Sequence, residues 1–164
     1  MILKAQSSYG TSFPWSTLPW FGTDGEARDS VIVNATYGTA ISTVKLPSTL
    51  YAQANNSKTI DLFNAFSAAY PGVVCDSYCL GAYDDLWLAA LATLQAGSND
   101  GTAIHAVFPT VAANYYGVQG WMGLQPSGDL IPTSYQIWKV VGSTWVFAGT
   151  WDYSSDTVNW SSPP

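Results

Sequence analysis

Hydrophobic positions along the chain change between helical and strand-like spacing, which predicts a domain of mixed α/β class. Residues 2–8 predict the end of a helix that stops near Gly10, and residues 11–22 predict a loop followed by a short apolar strand. Thr23 followed by Glu26 is typical of a capping box, so a helix is expected to start there.

The next segments predict a strand and a helix. Residues 39–47 are rich in β-branched side chains and predict a strand that ends at Pro47. Ser57 is expected to cap a helix over residues 58–70. The apolar residues expected on one face of this helix are Ile60, Phe63, Phe66 and Tyr70.

The clearest helical pattern covers residues 78–97, with Asp76 or Ser77 as the expected cap. A second helix is expected over residues 101–108, before Pro109. The buried stripe of the longer helix is expected to be Tyr83, Trp87, Ala90, Leu91 and Leu94.

The last third of the chain has the character of β-structure. Residues 126–129 contain a turn signal. Residues 134–151 predict a hairpin, with a two-residue turn of type II′ at residues 142–143.

Composition narrows the classes of partner. Charged residues make up only 10% of the chain and hydrophobic residues 48%, which excludes a disordered tail. The net charge of −6, with five basic residues, excludes a nucleic-acid partner or an anionic membrane surface. The aromatic content of 15%, together with glycosylation sequons at Asn34, Asn55 and Asn159, favours an extracellular or periplasmic protein.

Cys75 and Cys79 leave two interpretations open. One is a small local disulfide in an oxidising compartment. The other is a pair of buried thiols at helical spacing, where helix geometry makes a bridge awkward. A metal site is not expected, because His105 is the single histidine and there is no second thiol pair.

The sequence does not favour an enzyme or a cofactor. His105 lies within a short helical segment, and the chain has no nucleophile elbow, phosphate-binding loop or dinucleotide fingerprint. Asp84 and Asp85 would point about 100° apart on a helix, so they could not converge on one bond. We interpret them as first-turn acids favoured by the helix dipole.

The tryptophans allow a carbohydrate-binding module as an alternative function, because exposed indole rings can stack on sugars. For the three tryptophans of the hairpin, core packing and cross-strand pairing are favoured instead. The residues considered are Trp15, Trp20, Trp121, Trp138, Trp145 and Trp151.

Four segments together resemble a known family. They are residues 20–25 ("WFGTDG"), 79–108, 115–130 and 134–152, and they occur in the expected order and spacing. In this respect the chain resembles the last part of type I periplasmic solute-binding proteins, the receptors of ABC importers for branched-chain amino acids.

The resemblance implies a particular domain organisation. Members of the family fold as two α/β lobes around a cleft, and their chain crosses between the lobes three times. By analogy, residues 1–43 and 134–164 would belong to the second lobe and residues 44–133 would complete the first, with a β-hairpin near the C-terminus. The chain is expected to be a C-terminal fragment or an independently encoded remnant.

The resemblance also implies site residues and partners. Asp24 would pair with the ammonium group of an amino-acid-like ligand, Tyr78 would line the pocket, and Tyr83 would serve at a hinge or in packing. The expected partners are the ligand and the membrane subunits of an ABC importer. A homodimer is also expected to cover apolar surface. The competing function is a structural or interaction protein that binds no ligand.

Overall fold

A computed structural model describes residues 18–34, 37–52 and 54–163. These residues form two compact units. The first unit contains the described residues up to Ala52 and from Thr133 onward, and the second contains those between. In these ranges, no helix has the length and apolar character needed to cross a membrane. The helix end predicted at residues 2–8 lies outside the described residues.

The described helices and strands follow one another in mixed order, in agreement with the predicted α/β class. They are α1 (Gly38–Val44), β1 (Ser48–Tyr51), α2 (Ser57–Ala69), α3 (Ser77–Ala96), α4 (Gly101–Ala113), β2 (Tyr116–Gly117), β3 (Gly120–Trp121), β4 (Ser134–Val141), β5 (Thr144–Asp152) and β6 (Thr157–Trp160).

The first unit is built on a four-stranded antiparallel sheet in the order β1-β4-β5-β6. The predicted hairpin is confirmed: Val141 pairs with Thr144 across a two-residue turn. Gly142 has a φ of +61°, while Ser143 is not among the positive-φ residues, as a type II′ turn requires. Trp138 pairs with Phe147, and their rings meet edge to face at 5.7 Å. This confirms the cross-strand interpretation for Trp138.

The strand predicted over residues 39–47 is wrong, because most of this segment forms helix α1. Ile41 and Val44 are spaced by three residues; Ile41 belongs to a buried cluster with Val140 of the sheet, and Val44 packs against this cluster. The Thr43 hydroxyl donates to the carbonyl of Thr39 one turn earlier, which makes a β-branched residue compatible with the helix. Tertiary packing therefore overrides the local β propensity.

Ser57 was predicted to cap helix α2, but the cap is Asn56. The Asn56 backbone is extended, and its side chain accepts a hydrogen bond from the Thr59 N–H. The predicted apolar face is only partly buried. Phe63 and Phe66 pack against a core, whereas Ile60 and Tyr70 are exposed.

Helix α3 begins at the predicted cap Asp76 and ends at Gly97, but its predicted buried stripe is wrong. The buried positions are Ser77, Leu80, Asp84, Leu88 and Ala92. Leu88 and Ala92 pack against Val111, Ala112 and Met122. Of the predicted stripe, Leu91 is half-buried, while Tyr83, Trp87, Ala90 and Leu94 are exposed.

Asp84 explains this difference. Its side chain is fully buried and accepts hydrogen bonds from the N–H groups of Val118 and Gln119, both at 2.9 Å, and from the Tyr115 hydroxyl at 3.1 Å. A Cβ atom at Gly117 would lie 2.2 Å from the carboxylate, so glycine is required there. The first-turn interpretation of Asp84 and Asp85 is therefore wrong, because α3 begins at Ser77.

Helix α4 continues beyond its predicted end at residue 108 and includes Pro109. Proline has no N–H, so the helix gives up one internal hydrogen bond at this position. Asp100 caps the helix by accepting from the Ala103 N–H, and His105 is exposed within it.

Cys75 and Cys79 form a disulfide. Of the two interpretations of their spacing, the local disulfide is confirmed and the pair of buried thiols is wrong. Cys75 precedes the Asp76 cap and so lies outside the helix, while Cys79 lies in its first turn. The Cα atoms are 5.2 Å apart, within the usual range for a bridge. The disulfide therefore fixes the entry of the chain into α3.

We expect Asp84→Ala to lower the free energy of unfolding by about 3 kcal/mol, because two buried N–H groups and a phenol lose a charged acceptor. Chemical denaturation checks this. The matched control is Asp85→Ala, whose exposed side chain should change stability by less than about 0.5 kcal/mol. Equal effects of both substitutions would contradict the anchoring role of Asp84.

We expect Cys79→Ser to lower the free energy of unfolding by about 2 kcal/mol, the size that loop entropy gives for such a short loop. Mass spectrometry after alkylation should show no labelled cysteine in the native chain, and labelling of Cys75 and Cys79 only after reduction. Labelling without reductant would refute the bridge.

Candidate functional site

The segment before Asp24 is fixed against strand β1. The Gly22 N–H donates to the Pro47 carbonyl at 2.9 Å, and Gly22 forms a parallel bridge with Ser48. A Cβ atom on Gly22 would lie 2.3 Å from the Oγ atom of the buried Ser48. Glycine is therefore required where the chain passes β1.

The Thr23–Glu26 pair closes the turn that follows, although no helix forms there. The N–H and the hydroxyl of Thr23 both donate to Glu26 Oε2, at 2.8 and 2.9 Å. These two donors lower the pKa of the Glu26 carboxyl, the backbone N–H more than the hydroxyl. Residues 24–28 form turns, so the predicted helix start is wrong, while the predicted contact from Glu26 back to the Thr23 N–H is present.

Asp24 is exposed in this turn and lies within electrostatic reach of Tyr135 on the sheet. Tyr51 and Tyr135 are register partners on β1 and β4, and their rings meet edge to face at 5.6 Å. The pKa of the Tyr135 phenol is raised, chiefly by burial and further by Tyr51 and Asp24. Sequence reasoning missed both tyrosines, because only the strand pairing brings them together.

Asp24 belongs to the first unit, whereas Tyr78 and Tyr83 belong to the second. Tyr78 is exposed in the first turn of α3, immediately beside the disulfide. Tyr83 lies five residues later, which is about 140° around the helix axis. Tyr78 and Tyr83 therefore do not lie on the same face of α3.

The second unit contains a cavity of about 610 Å³ between α2 and α3, which is called the α2–α3 groove below. Its α2 side consists of positions i, i+3, i+4 and i+7, and its α3 side of positions i, i+4 and i+8, so each helix contributes one face. The lining residues are Lys58, Asp61, Leu62, Ala65, Tyr83, Trp87, Leu91 and Tyr115.

Sequence reasoning missed this groove. It assigned Tyr83 and Trp87 to the buried stripe, whereas 38% of the Tyr83 surface and 48% of the Trp87 surface are exposed. The sequence feature that could have indicated the groove is the pair of opposite charges, Lys58 and Asp61, three residues apart on α2. Exposed charged pairs on helices are common, so this pair alone does not indicate a site.

A second cavity, of about 650 Å³, lies in the first unit. Lys45 is the charged residue in its described lining, and Trp20, Phe21 and Trp160 are the aromatic ones. Its surface is otherwise mainly apolar, with Val44, Ile137 and other aliphatic or proline side chains.

The described aromatic pairs do not form a flat platform for a sugar. The exposed pair Tyr116 and Trp121 has an interplanar angle of 74°, and Trp151 and Tyr153 have one of 76°. Stacking on a sugar ring requires an open, flat aromatic face. Because the two rings of each pair cross, neither pair forms a flat face larger than one ring. Trp15 lies outside the described residues.

Within the described part of the chain, no group of three or more His, Cys, Asp or Glu side chains is arranged to hold a metal ion. The pKa of the Tyr115 phenol is raised, mainly by burial and also by the carboxylate of Asp84. Because this phenol donates to a buried carboxylate, its role is to hold that carboxylate in place.

No protein-family model matches this sequence, and no curated protein matches it. Solved structures do match its fold. A leucine-binding protein from Thermotoga maritima has a TM-score of 0.68 at 20% identity, over 94% of this chain. An ABC transporter substrate-binding protein from Desulfitobacterium hafniense, in complex with Leu, has a TM-score of 0.55 at 19% identity, over 89% of this chain.

A third match is an ABC transporter solute-binding protein from R. palustris in complex with benzoate, with a TM-score of 0.50 at 16% identity over 79% of this chain. The chain spans 42%, 38% and 34% of the lengths of these three proteins. The chain thus has the fold of part of a type I periplasmic binding protein, as its sequence motifs predicted.

We expect Thr23→Val to raise the pKa of the Glu26 carboxyl towards its ordinary value, since the variant loses the hydroxyl donor. An NMR titration of the side-chain carboxyl measures this. Because the native pKa is lowered, the Glu26 contribution to stability is present above the ordinary pKa and lost as the pH falls through the native one. An unchanged Glu26 pKa in Thr23→Val would show that the hydroxyl does not contribute.

Proposed function

We propose that this chain forms part of the extracytoplasmic solute-binding component of an ABC importer and binds a small amino-acid-like ligand in an interlobe cleft. The observation that carries the proposal is the fold match to a leucine-binding protein over 94% of the chain. In such a receptor the protein performs no chemistry. Ligand binding favours the closed arrangement of two lobes, which the membrane subunits of the importer recognise.

The proposed role of Asp24 is to pair with the cationic group of the ligand. The position of the residue supports this role, because Gly22 and the Thr23–Glu26 contact hold the turn and leave Asp24 exposed. Tyr135, the register partner of Tyr51, lies within its electrostatic reach. A carboxylate beside aromatic rings is a suitable environment for an ammonium group.

Tyr78 is proposed to line the same ligand site. The residue is 57% exposed at the start of α3, so it is accessible to a ligand. The disulfide and the Asp76 cap together fix the backbone at this point. Tyr83 is proposed to act at a hinge or in packing, and its half-exposed ring borders the α2–α3 groove.

One observation favours a second candidate function, that of an interaction protein. Helix α3 carries large apolar side chains that are strongly exposed, with Leu86 at 71% and Leu94 at 77%. Contiguous exposed apolar surface is typical of interfaces. In that case the fold would serve association, including the expected homodimer, and Asp24 would have no ligand.

We expect one or more amino acids to raise the melting temperature of the native chain, and Asp24→Asn to reduce this shift strongly, because the variant loses the charge that pairs with the ligand ammonium. A thermal-shift screen of amino acids, followed by calorimetry on each hit, measures both effects.

The matched control is Asp29→Asn, an exposed acid nearby whose replacement amide can still accept from the Val31 N–H. It should bind as the native chain does. If Asp24→Asn keeps full affinity, the role of Asp24 is wrong. If no amino acid shifts the native chain, and it self-associates in light scattering, the interaction function replaces the receptor.

A further inference from the structure

The α2–α3 groove has a chemical character that the proposed receptor site does not account for. Lys58 and Asp61 lie one turn apart on α2, and both line the cavity. Across the cavity, Tyr83 and Trp87 lie one turn apart on α3, with ring centroids 6.4 Å apart and an interplanar angle of 62°. The groove therefore has a charged wall and an aromatic wall.

The positive charge of the groove is already engaged by the protein. Lys58 Nζ donates to the Tyr116 carbonyl oxygen. It also lies 5.6 Å from the ring centroid of Tyr115 and 5.8 Å from that of Tyr116, within the range of cation–π attraction. A carbonyl acceptor and two aromatic faces thus stabilise the ammonium, which keeps its charge, and fix its position beside the groove.

The carboxylate of the groove, that of Asp61, lacks such contacts among the described residues. Among the described residues, the Asp61 carboxylate has no hydrogen-bond or ion-pair partner. A second carboxylate, that of Asp84, accepts a hydrogen bond from the hydroxyl of the groove residue Tyr115. The Asp61 carboxylate is therefore the charged group of the groove that is open to a ligand, and it favours a cation, in a protein whose net charge is −6.

The shape and lining favour an organic cation over a metal ion. A single accessible carboxylate does not provide the several oxygen ligands that Ca²⁺ or Mg²⁺ requires. A cavity of about 610 Å³ with Leu62, Trp87 and Leu91 in its walls has room for an apolar group as well. Aromatic faces next to a carboxylate are the surroundings in which ammonium ions bind well.

We propose that the α2–α3 groove is a separate binding site for a small organic ammonium ion with an aromatic or aliphatic arm. The ammonium group pairs with Asp61, and the arm packs between Leu62 and the ring of Trp87. This site lies wholly within the second unit and does not use Asp24. It does not depend on the proposed receptor function.

Isothermal titration calorimetry of the full chain with phenethylamine tests the proposal. Two probes of similar shape serve as comparisons: 2-phenylethanol, which is neutral, and 3-phenylpropionate, which is an anion. We expect phenethylamine to bind, and each comparison probe to bind roughly tenfold more weakly or not at all, because a charged hydrogen bond is lost or replaced by repulsion. Equal binding of the three probes, or no binding of phenethylamine, overturns the proposal.

Variants locate the binding. Asp61→Asn keeps the shape of the side chain and should weaken phenethylamine roughly tenfold, whereas Asp85→Asn, an exposed acid on α3 outside the lining, should not. Trp87→Ala should weaken binding, whereas Leu86→Ala, its exposed neighbour outside the lining, should not. Circular dichroism checks that each variant remains folded.

Asp24→Asn separates this site from the proposed receptor site. If Asp24→Asn abolishes phenethylamine binding while Asp61→Asn preserves it, the cation binds at the receptor site and the groove proposal is refuted. If Asp61→Asn abolishes it and Asp24→Asn preserves it, the groove is established, whatever the outcome of the amino-acid screen.

Discussion

The buried carboxylate of Asp84 determines how the second unit is arranged. Its hydrogen bonds to Val118, Gln119 and Tyr115 tie the middle of α3 to the short β2–β3 segment. A buried carboxylate is costly unless its acceptor capacity is used, so this contact fixes the rotation of α3 about its axis. With Asp84 inward, Trp87 turns outward, and Tyr115 is held at the groove. The contact therefore decides which face of α3 a ligand can reach.

This rotation also shows where prediction from the sequence stops. The caps at Asp76 and Gly97 and the hairpin turn at residues 142–143 depend on neighbouring residues, and the structure confirms them. The buried stripe of α3 depends instead on Asp84, a polar residue that hydrophobic spacing assigns to the surface. Helix α1 likewise depends on a core cluster shared with Val140, far along the chain, which local β propensity cannot anticipate.

The candidate sites also combine local features, which the sequence predicts, with features that depend on tertiary contacts. The Thr23–Glu26 contact is local, and the sequence predicted its partners even though the helix is absent. Tyr135, which lies within electrostatic reach of Asp24, is on β4 beside Tyr51 of β1, so this arrangement follows from strand register and not from sequence spacing. The α2–α3 groove similarly requires two helix faces to oppose each other. Motif resemblance could suggest Asp24, but only the tertiary structure shows its surroundings.

In the proposed groove site, the Asp61 carboxylate lies in the same cavity lining as aromatic rings and a positive charge. At Asp61 the ammonium of Lys58 lies one turn away, which weakens the field that an incoming cation meets. Binding in the groove must therefore draw more of its free energy from the apolar arm packed on Trp87 than from the charge pair. At the proposed groove site, a change in the arm of a ligand would therefore alter binding more than a change in its charge.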